Sequence, residues 1–193
     1  MSVKSKKIIL KSSSPRRKEL LANMGYEFEI KAYDVDESFD KSLTIVDNVK
    51  RLGFLKASVN KDLDYGSILI GCDTIVVLDN KIFGKPKDKE DAFNMLRALS
   101  GKTHMVMSGL CVIYKNYVFN DCEISYVKFK ELSDDEINEY IDTEEPFGKA
   151  GAYAIQGLGF NLVDEYRGSL NNIIGLPTEM LGKVLGEING MED

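Results

Sequence analysis

One histidine and three cysteines are all that the chain holds of the soft metal-ligating residues. Cys72, Cys111 and Cys122 are widely spaced, odd in number and lack any C-x-x-C pair, so disulfides and structural zinc are not expected and a reducing compartment fits. None of the three lies in the basic setting that activates a thiol. A single histidine, His104, cannot build a His-based metal site, and no partner that would orient it for a nucleophilic relay is legible. It reads as structural, satisfied by backbone. No apolar run approaches the length of a membrane span, and no apolar stretch of signal-peptide length follows the polar, basic start Met1–Lys7. The expected location is therefore the cytoplasm, with no membrane partner. A basic surplus is missing too: the net charge is -6. That argues against a nucleic-acid partner, whose footprint is usually a basic surface, though a few local Lys and Arg residues can still dominate one cleft. Linkers, internal repeats and low-complexity tracts are also lacking.

What remains is an ordinary globular composition, 44% hydrophobic and 29% charged over 193 residues, long enough for a proper core and near the size of one domain covering 1–193. Strands are expected over Lys7–Lys11, Tyr26–Lys31 and Ile68–Leu78, the last interrupted at Gly71-Cys72-Asp73-Thr74 and returning through Asp79-Asn80 to Lys81–Phe83. Two long strands, Met105–Tyr114 and Tyr117–Lys130, are joined by Lys115-Asn116 as a hairpin. A further strand is expected over Phe160–Tyr166. Helical spacing marks Pro15–Met24, Ile45–Val59, a helix capped by Asp88 and running to Leu99, one opened by the capping box at Ser133–Glu136, and Pro177–Ile188. Crossovers mixed with a long hairpin indicate α/β or α+β architecture around one mixed, extended sheet.

The most informative stretch is Ser12-Ser13-Ser14-Pro15-Arg16-Arg17. Ser14 suits an N-cap, Pro15 suits the first helical position, and Gly25 supplies a helix stop. Free backbone donors, three hydroxyls and two guanidinium groups then meet at one helix N-terminus, which is the chemistry of a phosphate site. A plain capped helix with exposed arginines has the same sequence signature. Asp73 lies within an apolar strand, where a carboxylate is disfavoured unless it faces a polar cleft, binds a cation or accepts hydrogen bonds. It can hold Mg²⁺ or act as general base toward water, or cap a bulge. Pro86 pushes Lys85 into an extended conformation, aiming its ammonium at a cleft or simply at solvent. Gly148–Gly157 is rich in small residues that let backbone approach a ligand, and the Gln156 amide offers both a donor and an acceptor to a base edge. A tightly packed loop in which Gln156 bonds only to local backbone is the alternative. The segment is not a Walker loop. Asp34, Asp36 and Glu37 offer further carboxylates for a metal, or form an exposed acidic loop. Cations (Arg16, Arg17, Lys56, Lys85), carboxylates (Asp73, Glu37) and an amide together suit metal-assisted phosphoryl chemistry.

These segments resemble, in order, the motifs of the Maf-like nucleoside triphosphate pyrophosphatases, a family once named for an effect on septum formation. The resemblance is carried by Ser12–Leu21; by Val49-Lys50-Arg51-Leu52 with Lys56-Ala57; by Cys72–Val76; and by Gly84-Lys85-Pro86. It continues through Met95–His104, Glu145-Pro146 with Lys149–Gly157, and Gly175-Leu176-Pro177. It spans roughly residues 8 to 185. It implies a fold like that of inosine triphosphate pyrophosphatases, an elongated mixed β-sheet flanked by helices with two lobes around a central cleft. It also implies hydrolysis of a nucleoside triphosphate to monophosphate and pyrophosphate with a divalent cation, Mg²⁺ or Mn²⁺, in a homodimer. By position, Asp73 corresponds to the proton acceptor and, with Glu37, to the metal site. Arg16, Thr74 and Gln156 match positions that set base preference, and their combination is similar to the branch that cleaves dTTP and UTP, modified pyrimidine nucleotides included. Ser12, Lys56 and Lys85 match polar and cationic positions along the phosphates. Arg17 is either a phosphate contact or a helix-surface charge. A 7-methyl-GTP-type pyrophosphatase and a non-catalytic protein that binds nucleotides or a division partner are the rival readings. Two departures stand out: Lys11 where the family usually has Ala, adding charge beside the phosphate loop, and Gly53 where a Leu-Ala pair is usual. Gly53 should weaken its helix by about 0.5–1 kcal/mol relative to Ala.

Overall fold

The computed structural model describes residues 6–191, so most of the polar start Met1–Lys7, and the ends of the expected 1–193 domain, lie outside the described residues. Seven strands form one mixed sheet flanked by helices, in the order β2-β1-β3-β5-β6-β7, with β4 paired to β3. The strands are β1 (Ile8–Leu10), β2 (Phe28–Ile30), β3 (Ile68–Leu78), β4 (Lys81–Phe83), β5 (Thr103–Tyr114), β6 (Tyr117–Phe129) and β7 (Val163–Arg167). The helices are α1 (Pro15–Asn23), α2 (Ile45–Ser58), α3 (Lys89–Leu99), α4 (Asp134–Asp142), α5 (Leu170–Ile174) and α6 (Thr178–Asn189). β1 pairs in parallel with both β2 and β3, through helical crossovers, while β4 and β7 pair antiparallel to β3 and β6. Among the described residues, no helix is long and apolar enough to cross a membrane.

Local chemistry sets the boundaries. Ser14, Thr44, Asp88 and Ser133 each cap a helix through a side-chain oxygen, and Ser133 with Glu136 closes the expected capping box. The β3–β4 turn places both Asp79 and Asn80 at positive φ, as a two-residue hairpin twist requires. Two expectations need correction. β3 runs unbroken through Gly71–Thr74. The last strand begins at Val163, because Leu158–Leu162 forms a tight 3-10 turn instead. The amides of Leu158 and Gly159 are held there by the Glu145 carboxylate, not by a neighbouring strand.

The chain divides into two compact units. Among the described residues, one comprises 6–73, 108–123 and 175–191, and the other 74–107 and 124–174. In the second, α3, α4 and the ends of β5 and β6 bury Leu96, Leu99, Phe129, Ile137 and Tyr153 in one apolar cluster. In the first, α2 lies directly against sheet backbone. A Cβ at Gly53 would stand 2.5 Å from the Gly109 carbonyl oxygen, one at Gly71 would meet the Ala57 backbone, and one at Gly109 would run into the Val49 carbonyl. Gly53 is therefore a packing requirement here, not simply a helix defect.

Lys11 also has a local explanation. Its side chain is fully buried, and its Nζ donates to Asp64 Oδ2 at 2.7 Å and to the Val59 carbonyl at 3.2 Å. Lys31 pairs with the other Asp64 oxygen. The charge that Lys11 brings is thus matched inside the protein.

Two outcomes follow for stability. Gly53→Ala should lower the melting temperature, because overpacking of about 1–3 kcal/mol outweighs the helix-propensity gain; a thermal melt showing a stabilised variant would contradict this contact. Asp64→Asn strands the Lys11 ammonium in the core and should cost about 3–5 kcal/mol. Burial pushes the Asp64 carboxyl up, but hydrogen bonds from Lys11 and Lys31 outweigh it and hold the group below 3.8. Its stabilising contribution is therefore present above that value and lost as pH falls through the lowered folded value. Melts from pH 6 downward should show an acid loss in the parent chain that is smaller in the variant. Equal acid slopes would remove Asp64 from this role.

Candidate active site

The turn from β1 into α1 forms where its capping residues lie, but the Ser14 and Arg17 amides expected to be free there are taken by serine hydroxyls. After β1, Ser12 Oγ accepts from the Ser14 amide at 3.2 Å and Ser14 Oγ accepts from the Arg17 amide at 3.5 Å, turning the chain into α1 with Pro15 at its first position. Gly25, at φ +83°, ends this helix. Arg16 and Arg17 are both half-buried on the first turn. The two differ in what the fold does with them. Arg17 Nε donates to the Gly175 carbonyl at 2.8 Å and its Nη1 donates to Ser12 Oγ at 3.2 Å. Two of its donors thus serve to hold the loop to the chain before α6.

The second cluster belongs to the same unit. Lys56, in the last turn of α2, donates to Asp73 Oδ1 at 2.5 Å and lies 2.8 Å from Glu37 Oε1. The Lys56 and Asp73 side chains are each 13% exposed, whereas Glu37 is 57% exposed. The pair is nearly desolvated on one side and open to solvent through Glu37. The loop that carries Glu37 has no helix or strand of its own and is pinned by α2. Asn48 Oδ1 accepts from the Asp40 amide at 2.7 Å and Nδ2 donates to the Asp40 carbonyl at 2.9 Å, while Arg51 donates to the Ser38 carbonyl.

Thr74, Lys85 and Gln156 belong to the second unit. Thr74 is half-buried on β3, and Lys85 and Gln156 are exposed. Gly84, next to Lys85, accepts from the Gly151 amide at 3.0 Å, which ties that turn to the start of the small-residue segment. Gly151, at φ +69°, packs its Cα so closely on Val76 that a Cβ would come within 2.9 Å of a methyl.

Glu145 escaped the sequence reading as a working residue. Burial raises its carboxyl pKa, but hydrogen bonds from the Gly159 amide, the Tyr140 hydroxyl and the Leu158 amide outweigh this and leave it lowered. Asn48 escaped as well. A polar residue beside Val49 on the buried face of α2 was its only sequence signal. His104 is structural, as expected, but its partner is not backbone. Nε2 is 2.8 Å from the Tyr153 hydroxyl, Nδ1 has no partner, and burial pushes its pKa down to about 4. The ring meets Phe129 and Tyr153 edge-on. Cys72, Cys111 and Cys122 are free thiols, and burial pushes Cys111 and Cys122 up to about 12 and about 11, which excludes a ready thiolate at either.

No group of three or more metal-ligating side chains occurs among the described residues. Two carboxylates converging on one cation are nonetheless a donor set that fits Mg²⁺ or Mn²⁺, since such ions are often held by one or two carboxylates and complete their shell with water and substrate phosphate.

Comparison with known proteins bears on the same residues. A family model described as Maf-like protein matches residues 7–188. A protein of Ruminiclostridium cellulolyticum named dTTP/UTP pyrophosphatase is 44% identical over 185 residues, covering 94% of this chain and 96% of its own length. Proteins of the same name from Clostridium beijerinckii and Clostridioides difficile are 46% identical, covering 94% and 92% of this chain and 99% and 93% of theirs. With a match over residues 7–188, the chain belongs to the Maf-like family.

Proposed function

We propose that the protein hydrolyses nucleoside triphosphates, dTTP and UTP first among them, to the monophosphate and pyrophosphate. The observation that carries this reading is the convergence of Asp73 and Glu37 on the Lys56 ammonium, in the same unit as the α1 N-terminus. The relatives' printed names support the reaction and its pyrimidine substrates.

Phosphoryl transfer is catalysed mainly by positioning and by neutralising charge. Arg16 and Ser12 receive phosphate oxygens at one helix end, where the macrodipole adds to their attraction. Lys56 has three N–H donors and can pass one to a phosphate oxygen while keeping its bond to Asp73. Asp73 takes the proton from the water that attacks the α-phosphorus, the α–β bridging P–O bond breaks, and the leaving pyrophosphate carries the electron pair. Glu37 and Asp73 are the residues that would hold a divalent cation. When bound, it would neutralise phosphate charge and acidify the attacking water. Lys85 as a phosphate contact, and Thr74 and Gln156 as readers of the base, rest on the motif positions that they match. Arg17 is a positioning residue in this reading, since its guanidinium is committed to Ser12 and Gly175. The homodimer and the cytosolic location belong to the same reading, the latter supported by three free thiols.

A scan of nucleoside triphosphates for released pyrophosphate tests the proposal, with dTTP and UTP expected to lead. Asp73→Asn keeps the shape of the side chain and leaves Lys56 its Glu37 partner, so the chain should stay folded with a lowered melting temperature while turnover falls by about 10²–10⁴-fold. Near-normal turnover in that variant would remove Asp73 from the mechanism. Arg17→Lys retains the charge but cannot reproduce the two-directional fork. It should raise KM for UTP and lower the melting temperature together, whereas a pure phosphate contact would raise KM with the melt unmoved.

A further inference from the structure

The loop around Gln156 is held by a half-buried carboxylate. Glu145 Oε2 accepts from the Gly159 amide at 2.8 Å and from the Tyr140 hydroxyl at 2.8 Å, and Oε1 accepts from the Leu158 amide at 3.0 Å. The Tyr140 oxygen in turn accepts from the Ala154 amide at 3.1 Å. Residues 154, 158 and 159 are thereby fixed to one carboxylate–phenol pair, and exposed Gln156 lies between them, next to exposed Gly157. The Gly157 amide closes the turn on the Ala154 carbonyl at 3.2 Å. Two glycines are needed for this closeness. A Cβ at Gly157 would lie on the Glu145 carboxylate, and one at Gly159 would come 2.7 Å from the Tyr140 hydroxyl.

These contacts are more than a single segment needs for stability. The Glu145 carboxylate is only half-buried, so it is its three hydrogen bonds, not burial, that fix its position. Here three donors from two separate stretches of chain meet one side chain, which removes the freedom of the five-residue turn to tilt. An amide that must offer a donor and an acceptor to a base edge gains discrimination only if its backbone is held, because small misplacements weaken both bonds. Lys149 adds to the frame by donating to the Glu145 carbonyl at 2.8 Å and to the Phe147 carbonyl at 3.3 Å.

We propose that Glu145, through Tyr140 and the Leu158 and Gly159 amides, is a positioning residue that sets the Gln156 amide and so the enzyme's choice of base. The proposal rests on Gln156 being the base reader. Glu145 touches neither substrate nor the reacting atoms, so its loss acts on recognition and leaves the chemical step intact.

The test compares UTP with ATP as substrates for the full chain and three variants, with a thermal melt for each. Glu145→Gln presents an NH₂ group to amide donors and must break at least one of the three bonds. Tyr140→Phe keeps the ring in the core and deletes only the bridging oxygen. Gln156→Ala removes the reader itself. The expected result is a rise in KM for UTP and a fall of about tenfold or more in the UTP-to-ATP ratio of kcat/KM for Glu145→Gln, a smaller fall for Tyr140→Phe, and kcat close to the parent in both. If Gln156→Ala collapses the ratio while both other variants keep it, with or without a lower melting temperature, Glu145 is structural only and the proposal is overturned. If Gln156→Ala keeps the parent ratio, the base-reader assignment fails and the proposal falls with it.

Discussion

The proposed catalytic centre depends on one ammonium held between two carboxylates. Lys56 bonds to Asp73, a carboxylate embedded in an otherwise apolar strand, and its charge is what makes that burial tolerable. The same ammonium draws in Glu37 from an irregular loop. Without Lys56, Asp73 would be an unpaired buried anion and the acidic loop would lose its inner contact. With it, two acceptors are presented side by side to anything cationic, and a cation is presented to anything anionic. A triphosphate with a divalent ion is both.

That contact is possible because helix and sheet touch through bare backbone. Gly53, Gly71 and Gly109 remove the side chains that normally separate the layers, and a Cβ at any of them would collide with the facing chain. Ala57 is pressed against Gly71, which brings its neighbour Lys56 within reach of Asp73 two residues along β3. The packing rule and the chemistry therefore share the same few positions. The α1 end follows similar logic: Ser12, Ser14 and Arg17 bond among themselves and to Gly175, fixing the loop before any ligand arrives. Preorganisation of this kind is what electrostatic catalysis requires.

Much of this was legible in the chain. The cap at Ser14, the long strand Ile68–Leu78 and the capping box at Ser133 are local signals, and each element formed where its residues pointed. Asp73 could be singled out because a carboxylate within a β-branched run has few bland explanations. What could not be read were the long-range partners. Asp64 looks like one more acidic residue in a polar turn, and only the fold shows it between Lys11 and Lys31. Gly53 looked like a weakened helix because its neighbour Gly109 lies far along the sequence. The strand expected from Phe160 began late because the Phe160 amide bonds back to the Gly157 carbonyl within the 3-10 turn Leu158–Leu162. His104 found a tyrosine hydroxyl in place of backbone.

The central claim is that water, relieved of its proton by Asp73, attacks the α-phosphorus. Turnover of UTP in ¹⁸O-labelled water tests it most directly, with mass spectrometry of both products. The account predicts the label in the nucleoside monophosphate and none in the pyrophosphate. Label in the pyrophosphate, or release of nucleoside diphosphate and inorganic phosphate, would contradict it.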